Sequence, residues 1–389
     1  MNLTEYTQYD GLGLADLIKQ GDVTAKELGQ LFLAAVEAIN PQINAVIETY
    51  ADRIEAMSQD YKPDGPFAGV PFLLKDLIIA EAGKESASGS RLGQGWIATE
   101  DALLTQRFKQ AGLTLLGRTT TPEFGLSGST ESLLTGKTRN PWNLDKMAGG
   151  SSGGAAAAVS SGLLPMANAS DGAGSIRIPA SCCNLVGLKV SRGRVSHYPR
   201  PEHAYDFGVE FIVSHTVRDS AAMLDAVGGP APGDFAVIHQ PHQPYLTDSE
   251  TPPQPLRIAF TTAQWGPVPT DPEVVAVVEQ IAQQCEAMGH TVTNASPHYD
   301  YEPFLKAMLV MWGLGADHGL QALAQATGRE INEQTLETVT LSFYNFAKAL
   351  TTTDFVEAMD VLNQVNRSVG HFFETYDLLL TPTLGLLPQ

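Results

Sequence analysis

Apolar positions along this chain follow two different periods, and each predicts a different element. Leu28, Leu31, Phe32, Ala35 and Ile39 recur at the 3.6-residue period of a helix with one buried face. Thr24-Ala25-Lys26-Glu27 has the spacing of a capping box, so this helix is predicted to open at Thr24. Pro41, which has no N–H to donate, is predicted to end it. Residues 68–74 and 113–116 are unbroken apolar runs, read as short buried strands, the first leading into Lys75-Asp76 and the second stopping before Gly117. Residues 155–161 predict a helix whose small side chains allow close packing on a sheet, its amino end facing a Gly/Ser run. Residues 228–255 turn to Pro, Gly, Gln and Asp, which reads as a surface excursion or subdomain junction. A strand-helix-strand unit then follows over 256–260, 272–288 and 290–292, with Val275, Val278 and Ile281 facing inward. Helices dominate from there to His371, residues 376–383 read as a last buried strand, and no internal repeat is visible.

Composition narrows the class. With 389 residues, 43% hydrophobic and 17% charged, the chain can build a large α/β core and fits neither a disordered segment nor a coiled coil. Its formal net charge of -19 disfavours phosphate backbones and anionic lipid, so the expectation is no nucleic-acid and no membrane partner. Cys182 and Cys183 are adjacent and Cys285 is distant, a set that forms neither a CxxC pair nor an even disulfide framework. A reducing, cytoplasmic setting is therefore expected, and the first twenty residues show no basic region followed by an apolar run. No apolar stretch reaches membrane-spanning length, and no HxxxH or HExxH pair offers metal ligands.

Candidate chemistry concentrates between Gly149 and Lys189, where residues 149–170 carry no charge. Ser151 sits in Gly-Gly-Ser-Ser-Gly-Gly, and Ser175 follows Asp171-Gly172-Ala173-Gly174. Glycine-rich backbone around a hydroxyl can converge several N–H groups into an oxyanion site. Lys75 follows Phe72-Leu73-Leu74; a solvated strand-end lysine is the plain reading, whereas burial would make its neutral amine a general base. Ser151 has its own plain reading as the N-cap of the following helix. Residues 149–153 also satisfy G-x-S-x-G, the nucleophile elbow, but that turn needs a strand just before the serine and residues 140–146 read as turn-like. Gly172-Ala173-Gly174 starts like a dinucleotide fingerprint, yet Arg177 stands where a small residue is required, and no Gly-Lys-Ser/Thr completes a phosphate loop.

Taken together, GVPFLLKD at 69–76, TPEFG and TES within 121–132, TRNPW at 138–142, AGGSSGG, DGAGSIRIPAS followed by VGLK, HTVRDSAAMLDAV and YDLLLTPT make the chain resemble the amidase signature family of serine amidases. The likeness runs from the first long helix to Thr383. It implies a single α/β domain over 1–389, with a mixed central β-sheet covered by helices on both faces, the signature core at about 69–217 and the later helices capping the cleft. It implies Ser175 as nucleophile, Ser151 as bridging serine after a cis Gly150–Ser151 peptide, and Lys75 as base; Ser151 lies the required 24 positions before Ser175, and Ser152 supports the turn. The N–H groups of Gly172, Ala173, Gly174 and Ser175 would hold the oxyanion, Gly125 to Ser127 would line the acyl side, and Asp171 and Arg177 would brace the loop. Such an enzyme needs neither metal nor organic cofactor, takes a small-molecule amide, and is allowed to form a homodimer.

Two departures accompany the likeness. Ala173 stands where this loop commonly has glycine, so a positive φ there would be strained. The family continues beyond the TPT strand, so the fold is expected to be truncated at its carboxyl end, with open sheet edge and uncovered apolar surface. A truncated, inactive amidase-like protein, or an amidotransferase A-type subunit supplying ammonia for tRNA-dependent amidation, are the alternative readings. The ASCC and VSRGRVS stretches resemble general bacterial amidases, including those acting on aryl amides or nylon-type cyclic oligomers. Cys182 and Cys183 are read as buried structural thiols rather than nucleophiles.

Overall fold

Thr24 opens its helix as predicted: its hydroxyl accepts the Glu27 N–H at 3.1 Å, and the Glu27 carboxylate accepts the Thr24 N–H at 2.7 Å. The helix spans Ala25–Ile43 and so runs through Pro41, where an end was expected. Pro41 withholds one N–H close to the carboxyl end, and the helix closes instead at Asn44, whose left-handed backbone (φ 49°) donates to the Asn40 carbonyl at 2.8 Å. These features come from a computed structural model that describes residues 1–58, 61, 63–201 and 206–389.

Three strands follow, β1 (Val46–Thr49), β2 (Pro71–Lys75) and β3 (Thr114–Thr119), in the order β1-β3-β2, with β2 parallel and β1 antiparallel to β3. Strand β3 continues through Gly117, past its expected end, because Gly117 pairs with Thr49 of β1, and glycine is needed there because the Glu48 carbonyl occupies the space a Cβ would take. Two short ribbons come next: β4 (Glu131–Ser132) with β5 (Gly136–Lys137), and β6 (Arg139–Asn140) with β7 (Asn143–Met147). The stretch read as turn-like before Ser151 is thus largely strand. It is a mostly exposed surface ribbon that ends at Met147, not a central strand feeding directly into the serine.

Strands β8 (Met166–Asp171), β9 (Val186–Gly187) and β10 (Val209–Ser214) form an antiparallel sheet in the order β8-β10-β9, and β8 and β10 are buried along their whole length. Strand β8 lies beside β2, where the Lys75 N–H donates to Asn168 Oδ1 at 3.1 Å. This side-chain amide bridges the seam between two hydrogen-bonded parts of the central sheet, β1-β3-β2 and β8-β10-β9. The helix Gly153–Ser160 packs on β2, β3, β8 and β10. Its residues 153–159 are all buried, and Gly154 approaches Thr120 so closely that a larger residue would not fit.

A third sheet carries β11 (Arg257–Phe260), β12 (Thr291–Asn294) and β13 (Leu378–Leu380), all parallel, in the order β12-β11-β13. Strand β13 was expected to be buried, yet it is an edge strand of its sheet and Leu378 is 49% exposed. In the helix Pro272–Ala287, Val278 and Ala282 are buried while Ile281 is 39% exposed, so the inward assignment of Ile281 is corrected. The i, i+4 edge through 278 and 282 meets the sheet and leaves 281 on its flank. The surface excursion at 228–255 contains a helical turn, Tyr245–Ser249, whose first N–H groups donate to Asp225. Among the described residues no helix is long and apolar enough to cross a membrane.

Candidate active site

Strand β2 ends on Lys75, which is only 1% exposed, so the solvated reading of this lysine is overturned. Its Nζ donates to Ser151 Oγ at 2.8 Å, Ser152 Oγ at 2.9 Å and Ser170 Oγ at 2.9 Å. Burial pushes the Lys75 pKa down to about 7, against the opposing attraction of Glu210 and Asp171. An amine so placed can accept a proton near neutral pH. Its neighbour Asp76 is buried as well, accepting from Arg118 at 2.6 Å and from the Ala87 and Gly89 N–H groups, which fixes the strand end.

The Gly150–Ser151 peptide is cis, at the bond expected from the resemblance. Gly150 is confined by the carbonyls of Ser127 and Ser129, which a Cβ would meet at 2.8 and 2.6 Å. The N-cap position of the following helix belongs to Ser152 rather than Ser151, and Ser152 makes no side-chain cap bond. Its hydroxyl instead bonds to Lys75 and to both the N–H and the carbonyl of Ser170, at 3.2 Å each, tying the helix to β8.

Ser175 lies next to this pair, half-buried, its carbonyl accepting the Ser152 N–H at 3.2 Å. Among the described residues its hydroxyl has no hydrogen-bond partner, a condition that substrate commonly changes. The loop that carries it is organised by Asp171, whose carboxylate accepts the Gly174 N–H at 2.6 Å, the Ile176 N–H at 3.2 Å, and Arg177 Nε and Nη2 at 2.8 and 2.9 Å. Burial pushes the Asp171 carboxyl up, but Arg177 and Lys189 outweigh it and hold the group well below the usual carboxylate range. The Gly174 N–H is therefore committed to Asp171. Those of Gly172, Ala173 and Ser175 have no partner among the described residues. Ala173 lies outside the left-handed region, so its methyl group is not strained.

Gly125 (φ +69°) faces Ser151 directly: a Cβ there would stand 3.1 Å from Ser151 Oγ and 2.7 Å from Leu77 Cδ2. Ser127 is exposed, and its hydroxyl accepts the Ser129 N–H at 3.2 Å. Of the residues singled out from the sequence, Lys75, Ser151, Ser175 and Gly125 meet in one place and Ser127 sits at its rim. The sequence reading missed Ser170 and Asn168, although their period-2 spacing in an otherwise apolar stretch was a usable signal. It also missed Phe124, whose φ of 49° is uncommon for an aromatic residue and turns the chain into Gly125.

Fold and site together define the class as the amide hydrolases. A family model described as amidase matches residues 27–389, and the chain belongs to the amidase family, the amidase signature enzymes that its motifs resemble. It is 36% identical over 383 residues to a 6-aminohexanoate-cyclic-dimer hydrolase of Pseudomonas sp. (strain NK87), covering 96% of this chain and 77% of that protein. The solved structure of a 6-aminohexanoate cyclic dimer hydrolase complexed with substrate superposes with a TM-score of 0.90 at 35% identity, covering 95% of this chain and 78% of that one. A bacterial aryl acylamidase of the amidase signature family also superposes with a TM-score of 0.90, at 27% identity, covering 98% and 81%.

Proposed function

We propose that this protein is a serine amidase that hydrolyses a small carboxylic amide to acid and amine or ammonia through an acyl-enzyme, with Ser175 as nucleophile, Ser151 as bridging serine and Lys75 as base. The observation that carries this reading is the 2.8 Å contact of Lys75 Nζ with Ser151 Oγ at a lysine removed from water. Neutral Lys75 takes the Ser151 proton, Ser151 takes the Ser175 proton, and Ser175 Oγ attacks the amide carbonyl. The free N–H groups of Gly172, Ala173 and Ser175 are the donors available to the oxyanion; one well-placed donor contributes about 3 kcal/mol in the transition state. The Gly174 N–H, engaged by Asp171, drops out of that set. Ser151 then protonates the leaving nitrogen, and water releases the acid along the same proton path.

The substrate class follows the relatives: their names point to aryl amides and to cyclic oligomers of an aminoalkanoic acid. A single domain over 1–389 and a cytoplasmic setting belong to the same reading, the latter supported by three unpaired cysteines. The inactive alternative is disfavoured by Lys75 keeping its contact with the bridging hydroxyl. The test is labelling of the full chain by a fluorophosphonate, with the modified residue mapped by mass spectrometry and the measurement repeated on Lys75→Ala. Labelling at Ser175 that depends on Lys75 supports the proposal; labelling at Ser151, or none on a chain folded by circular dichroism, overturns it.

A further inference from the structure

Strand β10 is buried along its whole length and carries one ionisable residue, which its packing does not call for. Glu210 is 3% exposed between Val209 and Phe211, and its Oε1 has no hydrogen-bond partner among the described residues. A carboxyl in such a place costs stability, so its retention asks for a chemical reason. Its register supplies one. Glu210 is directly opposite Ser170 of β8, so the two side chains project from the same face of the sheet. Ser170 Oγ is one of the three acceptors of Lys75 Nζ. Glu210 therefore stands behind the catalytic lysine, on the side of Ser170.

Among the described residues, the other charged groups around this position are already committed. Asp171, the second acid acting on Lys75, is bonded to Arg177 and Lys189. From the segment before β10, Arg200 and Asp206 act on Glu210, and these two are bonded to each other at 2.6 Å. Arg200 also contacts His197 Nδ1 at 2.8 Å, and burial keeps that imidazole neutral, its pKa pushed down to about 4.

We propose that Glu210 is a positioning residue that supplies the countercharge for Lys75, stabilising the ammonium that forms when Lys75 accepts the Ser151 proton. The inference rests on the reading of Lys75 as base. Glu210 makes and breaks no bond; the proton passes from Ser151 Oγ to Lys75 Nζ and returns, and the carboxylate offsets the charge between those steps. Burial pushes the Glu210 carboxyl up to about 7, opposed by Arg200 and Lys75, so its charge varies over the same pH range as that of the lysine.

The test is the rate of Ser175 labelling by a fluorophosphonate on the full chain, followed across roughly pH 5 to 9, a range spanning both groups. Removing the carboxylate in Glu210→Gln lowers the Lys75 pKa further, so the acid limb of the profile moves to lower pH by about half a unit or more. Glu210→Asp, which keeps the charge, stays closer to the wild-type limb. A purely structural role changes the height of the profile and leaves the limb in place; that outcome overturns the proposal. If Glu210→Gln lacks the wild-type circular dichroism spectrum, Arg200→Gln probes the same charge from the other side. Without Arg200, Glu210 stays protonated to higher pH and the limb again moves down; an unmoved limb there is equally fatal. Undiminished labelling of Lys75→Ala would instead refute the base assignment itself, so the two failures are distinguishable.

Discussion

Gly125 and Ser151 are in direct apposition: a Cβ on Gly125 would stand 3.1 Å from the Ser151 hydroxyl oxygen, and its backbone φ is +69°. The loop of the TPEFG motif thus lies close against Ser151, so glycine is needed here for both conformation and space. Gly125→Ala is expected to leave the fold intact by circular dichroism and to reduce the fluorophosphonate labelling rate by about tenfold or more, since a left-handed alanine costs roughly 1–2 kcal/mol and its methyl group displaces Ser151 Oγ or Leu77.

Lys75→Ala removes the only cation that touches Ser151 Oγ among the described residues. The proposed proton relay is then broken, and hydrolysis of a chromogenic anilide is expected to fall by about 10²–10⁴-fold, the range typical of a lost general base. A loss smaller than tenfold would count against this role.

The pH dependence carries a definite sign. Burial lowers the Lys75 pKa from 10.5 to about 7, so the amine is neutral above that value and activity should decline as pH falls through it. The same shift has a stability consequence. Between about pH 7 and 10.5 the unfolded chain binds the proton that the folded chain releases, so the lysine's contribution to stability rises with pH in that window. The rate profile of anilide hydrolysis and denaturant unfolding at several pH values check the two halves separately.

Asp171 organises the loop that carries Ser175 through Gly174, Ile176, Arg177 and Lys189. Asp171→Ala removes the acceptor of two backbone N–H groups and of a half-exposed guanidinium, and is expected to cost about 1–3 kcal/mol in denaturant unfolding, with labelling at Ser175 lost as the loop relaxes. Its folded pKa is depressed, so the stabilisation is fully present above the unfolded carboxylate value and disappears as pH falls through the folded one.

Cys183 is buried and its thiol approaches the Ala148 carbonyl at 3.4 Å, while burial pushes the pKa of Cys182 up to about 11 and that of Cys183 higher still. Neither is a thiolate at neutral pH. Cys183→Ala should therefore keep activity within about tenfold of wild type, the limit allowed for a packing defect near the site. A fall to the level of Ser175→Ala would mean that the thiol takes part in the chemistry.

Much of the architecture was legible because it rests on local rules. The capping box at Thr24, the apolar run into Lys75 and the alanine helix after Gly-Gly-Ser-Ser-Gly-Gly are set by residues within a turn or a strand of one another. The errors fall where a distant contact overrides the local signal. The helix at Pro41 continues to an Asn44 cap, β3 passes Gly117 because β1 lies against it, and Leu378 of the edge strand β13 is left exposed.

The sequence by itself determined which side chains are available for chemistry and the order in which they occur: a lysine at a strand end, a serine pair between glycines, and a serine in an Asp-Gly-Ala-Gly loop. Only the tertiary structure decided their charge states and neighbours. The Lys75 pKa is pushed down to about 7 because β2, β8 and the helix Gly153–Ser160 together exclude water from it, and Ser170 and Glu210 stand behind it because β8 and β10 pair in one register. Desolvation and cross-strand register depend on residues far apart in the chain, so no local pattern encodes either.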